Sequence, residues 1–250
     1  MNQFFVSKEQ VNIEEKKVII NGDDYNHIRN VLRIRPGEEL SVIMTDSPDR
    51  ELRCAVLEYT DDKVICELRF IKEETNEPGI RVHLFQGIPK GDKMETIIQK
   101  NVELGVCEII PVSMKRCVVK LDEKKASKRT QRWTEISKAA AMQSKRGIIP
   151  VVDEPMDFKH ALGYAKEKCK ILLLPYEMSE NMGRTKKLLK EITPGCDVAV
   201  FIGPEGGFDD EEIKMAKDAG FETITLGKRI LRTETAGMYM MSVLSYLFEE

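Results

Sequence analysis

Apolar positions come in short runs over the first 72 residues and in a different rhythm after them. KVII, ELSVIM, LRCAVLEY and KVICELRFI are short apolar or alternating runs, separated by the turn-prone NGDD, RPGEE, SPDR and TDD. Frequent short strands with such punctuation predict a small β-barrel or β-sandwich. One helical stretch, DDYNHIRNVLRIRPG, interrupts them, with Ile28, Val31 and Leu32 on one face and Pro36-Gly37 closing it. The polar KEETNEPG that follows ends in Pro-Gly and reads as a linker. Residues 1–72 are thus expected to form one domain, 73–79 the linker and 80–250 a second domain.

Beyond the linker, strand and helix patterns alternate. RVHLFQGI reads as a strand. Asp92 is placed to cap a helix whose Met94, Ile97, Ile98 and Val102 keep helical spacing, with Gly105 closing it. CEIIPV is the next strand. A long helix over residues 127–146 follows, with Trp133, Ile136, Ala139 and Ala140 on its inner side and Gly147 after it. CKILLLP and DVAVFIG are almost wholly apolar, as strands buried on both faces are. Asp209 with Glu212 three residues on is a capping-box start to another helix. FETITLG is a last strand and Thr233 to Phe248 a last helix. This alternation predicts an α/β domain with a mainly parallel sheet.

Composition narrows the classes without selecting one. Of 250 residues, 42% are hydrophobic and 32% charged, and the formal net charge is −3, so no global basic field marks a polyanion partner. The six cysteines are widely spaced and form no Cys-x-x-Cys, and His27, His83 and His160 are scattered, so no zinc-type cluster is readable and no metal is expected. Reduced thiols are the expectation. MNQFFVSKEQ lacks the build of a signal peptide, and no run approaches the ~18 apolar residues of a membrane span. A soluble, cytoplasmic protein is expected.

Candidate chemistry gathers where strands end. In open α/β sheets, ligands bind at the carboxyl ends of strands. VAVFI runs into Gly203-Pro204-Glu205-Gly206-Gly207, TITL runs into Gly227, and Lys170 to Leu174 runs into Pro175-Tyr176-Glu177. The three loops predict one pocket. Gly206-Gly207 alone would equally be a turn into the next helix. A second glycine loop at another strand end, followed by RILRTETA, weakens that reading. No Gly-Lys-Ser/Thr follows, so this is not a phosphate loop. QGIPKGDK supplies no Gly-x-Gly-x-x-Gly turn, which ranks a dinucleotide oxidoreductase last. No Ser-His-Asp or Cys-His spacing offers a covalent nucleophile. Met238, Met240 and Met241 suit packing, in the core or at a subunit interface.

Charge is local. From Lys115 to Arg146 there are eleven basic residues against Asp122, Glu123 and Glu135. Such a strip inside a mildly acidic chain favours a phosphate backbone as partner over a merely solvated helix face. Arg29, Arg33 and Arg35 form a smaller basic group, for which pairing with nearby acids is an equal alternative.

KGDKMETIIQKNVELGV, RWTEISKAAAMQSKRGIIP, IGPEGGF and LGKRILRTETA, in order and spacing from Lys90 to Met241, resemble the ribosomal RNA small-subunit methyltransferase E (RsmE) family of the SPOUT superfamily. HIRNVLRIRPGE agrees with that family's PUA-like RNA-binding β-barrel. Asn101-Val102 departs from the family pattern, as tolerated variation on a helix face. The resemblance implies an α/β SPOUT domain tied in a deep trefoil knot, an exception to the rule that chains are not knotted. It also implies a homodimer packed around the knot, with the last helix in the interface. The implied reaction is methylation of N3 of a uridine in 16S rRNA of the small ribosomal subunit, using S-adenosyl-L-methionine. Rival readings are a methyltransferase of the same superfamily acting on tRNA or a ribose 2′-hydroxyl, and an inactive RNA-binding ribosome assembly factor.

The same resemblance implies roles for residues. Leu174, Pro175, Ile202, Gly203, Pro204, Glu205, Gly206, Gly207, Leu226, Gly227, Ile230, Leu231, Arg232 and Ala236 would hold the cofactor, largely through backbone groups. Arg232 would bind the uracil carbonyls or an adjacent phosphate, or else form a structural salt bridge to Glu205 or Glu234. Glu205 and Glu234 are the possible bases, and either would equally fix Arg232 or accept from cofactor hydroxyls. Arg29, Arg33, Arg35, Lys90, Lys93, Arg116, Lys145 and Arg146 would hold RNA.

Overall fold

The first part of the chain forms β1 (Gln3–Val6), β2 (Val11–Asn12), β3 (Lys17–Asn21), β4 (Glu39–Met44), β5 (Ser47–Tyr59) and β6 (Lys63–Glu73). The computed structural model describes residues 1–73, 76–179 and 181–249, so Glu74 and Thr75 of the expected linker, and the terminal Glu250, lie outside the described residues. Two compact units emerge, one of Met1–Glu77 with Ala141–Ile148, the other of Pro78–Ala140 with Ile149–Glu250.

In the first unit the six strands run in the order β1-β4-β5-β6-β3-β2. β1 pairs parallel with β4, and the other pairs are antiparallel. Register shifts at Arg53/Cys54 and Val56/Glu58 interrupt the long β5–β6 ladder, and such bulges bend and twist a strand. The inner face buries Phe4, Leu40, Leu52, Cys54, Val64 and Cys66, and burial pushes the thiols of Cys54 and Cys66 up to about 12. All six cysteines are free.

Helix α1 (Gly22–Asn26) widens into a π-helical stretch over residues 27–32, closed by Arg33 with φ 53°. The wider turn breaks the face expected from helical spacing: Ile28 is buried, but Val31 is 68% exposed.

The second unit holds a wholly parallel sheet. Its strands are β7 (Arg81–Gly87), β8 (Glu108–Ser113), β9 (Val151–Val152), β10 (Met156–Asp157), β11 (Ile171–Pro175), β12 (Asp197–Ile202) and β13 (Glu222–Ile224). The order is β10-β8-β7-β12-β11-β13, with β9 also on β8. The helices are α2 (Lys93–Glu103), α3 (Glu123–Ser144, of which residues 141–144 belong to the first unit), α4 (Phe158–Lys168), α5 (Met182–Lys190), α6 (Asp210–Asp218) and α7 (Thr233–Phe248). No helix among the described residues is long and apolar enough to cross a membrane.

Phe85 of β7 stacks on Phe201 of β12 with centroids 4.3 Å apart, and Phe158 and Phe221 meet Phe201 edge-on. This aromatic core holds together the strands whose ends carry the glycine loop. α6 begins with the expected box: Asp209 accepts from the Glu211 N–H, and Glu212 accepts from the Asp209 N–H at 2.9 Å. Asp92 stands at the start of α2, but its side chain makes no capping bond. α3 buries Trp133 and Ser137, with Ser137 Oγ donating to the Pro150 carbonyl at 2.6 Å, whereas Ala139 is exposed. α4 and α5, absent from the pattern reading, start at Asp157 and Asn181, which accept from the N–H groups of His160 and Arg184.

Candidate active site

Three loops leave the carboxyl ends of β11, β12 and β13, as expected for a ligand site in a parallel sheet. Two cavities adjoin there, of about 550 Å³ and about 120 Å³. Pro175, Glu177, Ile230, Leu231 and Ala236 line both. Ile202, Gly203 to Phe208, Arg232 and Thr233 line the larger, and Thr225, Leu226 and Gly227 the smaller. The structure therefore brings together thirteen of the fourteen expected cofactor residues. Leu174 is the exception, because its side chain is fully buried in the core and lines neither cavity. Tyr176 and Glu177, in a loop expected at the pocket, line it, and Thr225, Phe208 and Thr233 join the site without having been singled out for it. Their signal was their place in the same strand-end loops.

The glycine loop is held from two sides. A Cβ on Gly87 would come within 2.6 Å of the Pro204 nitrogen, so glycine at 87 permits β7 to end against this loop. Gly207 has φ +67°, a left-handed conformation that suits glycine, and its N–H closes a turn onto the Pro204 carbonyl at 2.9 Å. From the other side, Arg116 Nη1 donates to the Gly206 carbonyl at 3.1 Å, and the Lys115 N–H donates to Glu212 at 2.8 Å. Thr233, at the start of α7, donates from Oγ1 to the Gly203 carbonyl and accepts from Gln86 Nε2 at 2.8 Å.

Charge at the site is organised around Lys93. Its ammonium lies 3.0 Å from Glu205 Oε1 and 3.5 Å from Glu234 Oε2. The hydrogen bond to Glu205, followed by the charges of both carboxylates, raises the Lys93 pKa. Burial would raise Glu205, but Lys93 and backbone N–H groups, including that of Lys90, outweigh it and hold the carboxyl low. Glu234 lines neither cavity. Arg232, the alternative partner for both acids, is exposed at the larger cavity, and its guanidinium makes no hydrogen bond or ion pair among the described residues.

The expected RNA contacts divide. Arg146 is 3% exposed, and its Nε donates to Glu77 at 2.9 Å. Glu77 also accepts from the N–H of Gly147, so Arg146 is a structural residue closed to a phosphate backbone. Lys93 is committed to its two carboxylates. Arg29 lies 5.6 Å and 5.7 Å from the rings of Tyr25 and Tyr59 and donates to the Thr60 carbonyl. Arg33 and Arg35 are exposed and form no ion pair among the described residues. Lys145 donates to the Met1 carbonyl, and Lys90 is exposed at the larger cavity. Part of the basic strip is neutralised internally: Lys115 pairs with Asp209 and Glu211, Lys125 with Asp122, and Arg132 with Glu95. Lys120, Lys124 and Lys128 remain exposed.

At the opposite strand ends, the sequence hid a buried network. His83 lies 2.6 Å from Glu108 and 2.8 Å from Asp197, and Lys168 and Tyr164 both donate to Glu108 at 2.8 Å. Burial opposes the Glu108 charge, yet these donors overcome it and hold the carboxyl at about 2. Among the described residues, no His, Cys, Asp and Glu cluster is arranged to hold a metal ion.

Comparisons agree with this architecture. Residues 75–245 match the family model of the RNA methyltransferase domain, and residues 20–47 that of the RNA methyltransferase PUA domain. The chain belongs to the RNA methyltransferases that join these two domains. Its relatives define the branch. The ribosomal RNA small subunit methyltransferase E of Bacillus subtilis is 36% identical over 255 residues, covering 100% of this chain and 98% of the relative. That of Mesomycoplasma hyopneumoniae is 34% identical, covering 97% and 98%. The crystal structure of the Neisseria gonorrhoeae enzyme of that name, bound to S-adenosyl methionine, superposes with a TM-score of 0.84 at 31% identity, covering 99% and 98%. The protein is a member of the ribosomal RNA small subunit methyltransferase E family.

Proposed function

We propose that the protein methylates N3 of a uridine in 16S rRNA of the small ribosomal subunit, using S-adenosyl-L-methionine. The observation that carries this reading is Arg232, a cation without an ion pair among the described residues, on the wall of a cavity lined by the two glycine loops. The residues fit the cofactor. A cavity in the usual few-hundred Å³ range offers apolar Ile202, Phe208 and Leu231 beside backbone groups from glycine turns. Adenosine needs such apolar faces and backbone donors, and Gly203 to Gly207 with Leu226 to Leu231 would hold it. When bound, the cofactor supplies a methyl group already activated on a sulfonium.

The protein's part is then orientation and charge. Arg232 stabilises the anion that develops as the uracil imide loses its proton, and it positions N3 for in-line attack. Of the two candidate bases, Glu205 faces the cavity. Lys93 lowers its basicity, which makes it a weak base for the imide proton. The methylated base must be unpaired and presented, and Arg33, Arg35, Lys90 and the exposed lysines of the basic strip would hold the surrounding RNA. The loops after β12 and β13 are read as parts of a trefoil knot, as the family resemblance implies. The protein is read as a cytoplasmic homodimer. In support of the dimer, Tyr239, Val243, Tyr246 and Leu247 of α7 line a further cavity of about 460 Å³ with Leu189, and Tyr246 is 85% exposed.

The test is incubation with labelled cofactor and small subunits lacking the modification, followed by digestion to nucleosides and mass spectrometry. 3-Methyluridine is expected. A ribose-methylated product, or methylation of tRNA alone, overturns the assignment. Cofactor binding without any product would mark an assembly factor.

A further inference from the structure

We propose that Glu177 selects the positively charged methyl donor over the neutral thioether that remains after transfer. The inference rests on the cofactor reading above. Among the described residues, Glu177 is the one carboxylate lining both cavities. It makes no hydrogen bond or ion pair with a described residue. Its carboxylate lies across the glycine turn: a Cβ on Gly207 would stand 3.4 Å from Oε1 and 3.7 Å from Oε2. The loop after β11 thus delivers a bare negative charge to the shared wall.

That charge is out of place in a site for RNA alone. Lys90, Arg232, Lys228 and Arg229 line the same cavities, and a polyanionic substrate is repelled by an acid among them. Glu205, the other acid on the larger cavity, already has its countercharge in Lys93. Glu177 therefore awaits a cation from outside the chain. Of the two substrates, S-adenosyl-L-methionine brings cations: an α-ammonium that the product keeps, and a sulfonium with a permanent positive charge that the product lacks. The methyl group leaves for N3, the S–C bonding pair stays on sulfur, and S-adenosyl-L-homocysteine has one positive charge fewer. The carboxylate attracts donor more than product, which favours loading and speeds exchange after turnover.

Calorimetric titration with S-adenosyl-L-methionine and S-adenosyl-L-homocysteine separates this role from simple contact. For an exposed charge pair, Glu177→Gln should lower the ratio of product Kd to donor Kd about three- to tenfold. Glu177→Asp, which keeps the charge, should hold the ratio near wild type. Thermal melting of the unliganded variants checks that both are folded. An unchanged ratio in Glu177→Gln overturns the proposal while leaving the cofactor reading intact. Failure of the wild type to bind either compound overturns both.

Discussion

Thr233 Oγ1 donates to the carbonyl of Gly203 at 2.6 Å and thereby ties the start of α7 to the end of β12. Two wall segments of the cavity, remote in sequence, share this one hydroxyl. Gln86 Nε2 donates to it from β7 as well. Thr233→Val keeps the shape and removes the hydroxyl, leaving a buried amide short of an acceptor. A loss of about 1–3 kcal/mol in urea unfolding is expected, together with weaker cofactor binding. Thr233→Ser should restore most of both, and equal behaviour of Val and Ser would show the hydroxyl to be dispensable.

The Arg232 guanidinium has no partner among the described residues, whereas Lys93 holds the two acids once open to it. Its removal should therefore cost chemistry and not stability. Arg232→Ala is expected to abolish turnover while calorimetric cofactor affinity stays within about threefold. Turnover near the wild-type rate would remove Arg232 from the mechanism.

The strand-end loops were legible because glycine and proline announce their backbone at short range. What escaped reading depends on contacts between distant segments. Nothing near Arg146 announces Glu77, and nothing in the strand runs announces that residues 141–148 join the first unit. Leu174 was implied as a site residue by the family resemblance, but β11 is buried on both faces and its side chain packs in the aromatic core. Val31 failed for a different reason, since a π-helical turn is invisible to a 3.6-residue period. Asn101, taken as variation on a helix face, is fully buried, with Nδ2 bound to the Ile97 carbonyl.

Asp153 gives the second unit a pH signature. Burial, then the neighbouring Glu108 carboxylate, raise its pKa from the ordinary 3.8 to about 6. Between those values the folded protein keeps a proton that the unfolded chain has lost. Its contribution to stability therefore falls as pH rises from about 4 to about 6 and stays low above that. Asp153→Asn mimics the protonated form at every pH. It should match wild type near pH 4 and exceed it above pH 6 by about 1–2 kcal/mol. Urea unfolding across this range checks the sign, and a constant difference would show that Asp153 does not titrate there.

Arg146 and Lys120 separate structure from RNA contact. Arg146→Ala leaves Glu77 largely buried without its countercharge and should cost about 3–5 kcal/mol of stability. Lys120→Ala should leave stability unchanged and lower the salt dependence of RNA affinity by about one phosphate contact. Filter binding over a salt series, beside urea unfolding, tells the two apart. If Lys120→Ala leaves the slope intact, the exposed end of the basic strip is a solvated face.

The exposed apolar face of α7 sets the last expectation. Tyr246 and Leu247 are 85% and 48% exposed near its end, and both border the cavity that Leu189 closes on α5. Exposed aromatic and aliphatic side chains gathered about one cavity mark an association surface more often than a solvated one. A symmetric pair using this face buries the same patch twice, so one charge per chain places two unpaired charges in the interface. Tyr246→Lys is therefore expected to convert dimer to monomer in sedimentation velocity at micromolar concentration. Buried in such an interface, an unpaired lysine costs several kcal/mol. A dimer that persists unchanged in Tyr246→Lys and Leu247→Glu would place the interface elsewhere, and a wild-type monomer would dismiss it.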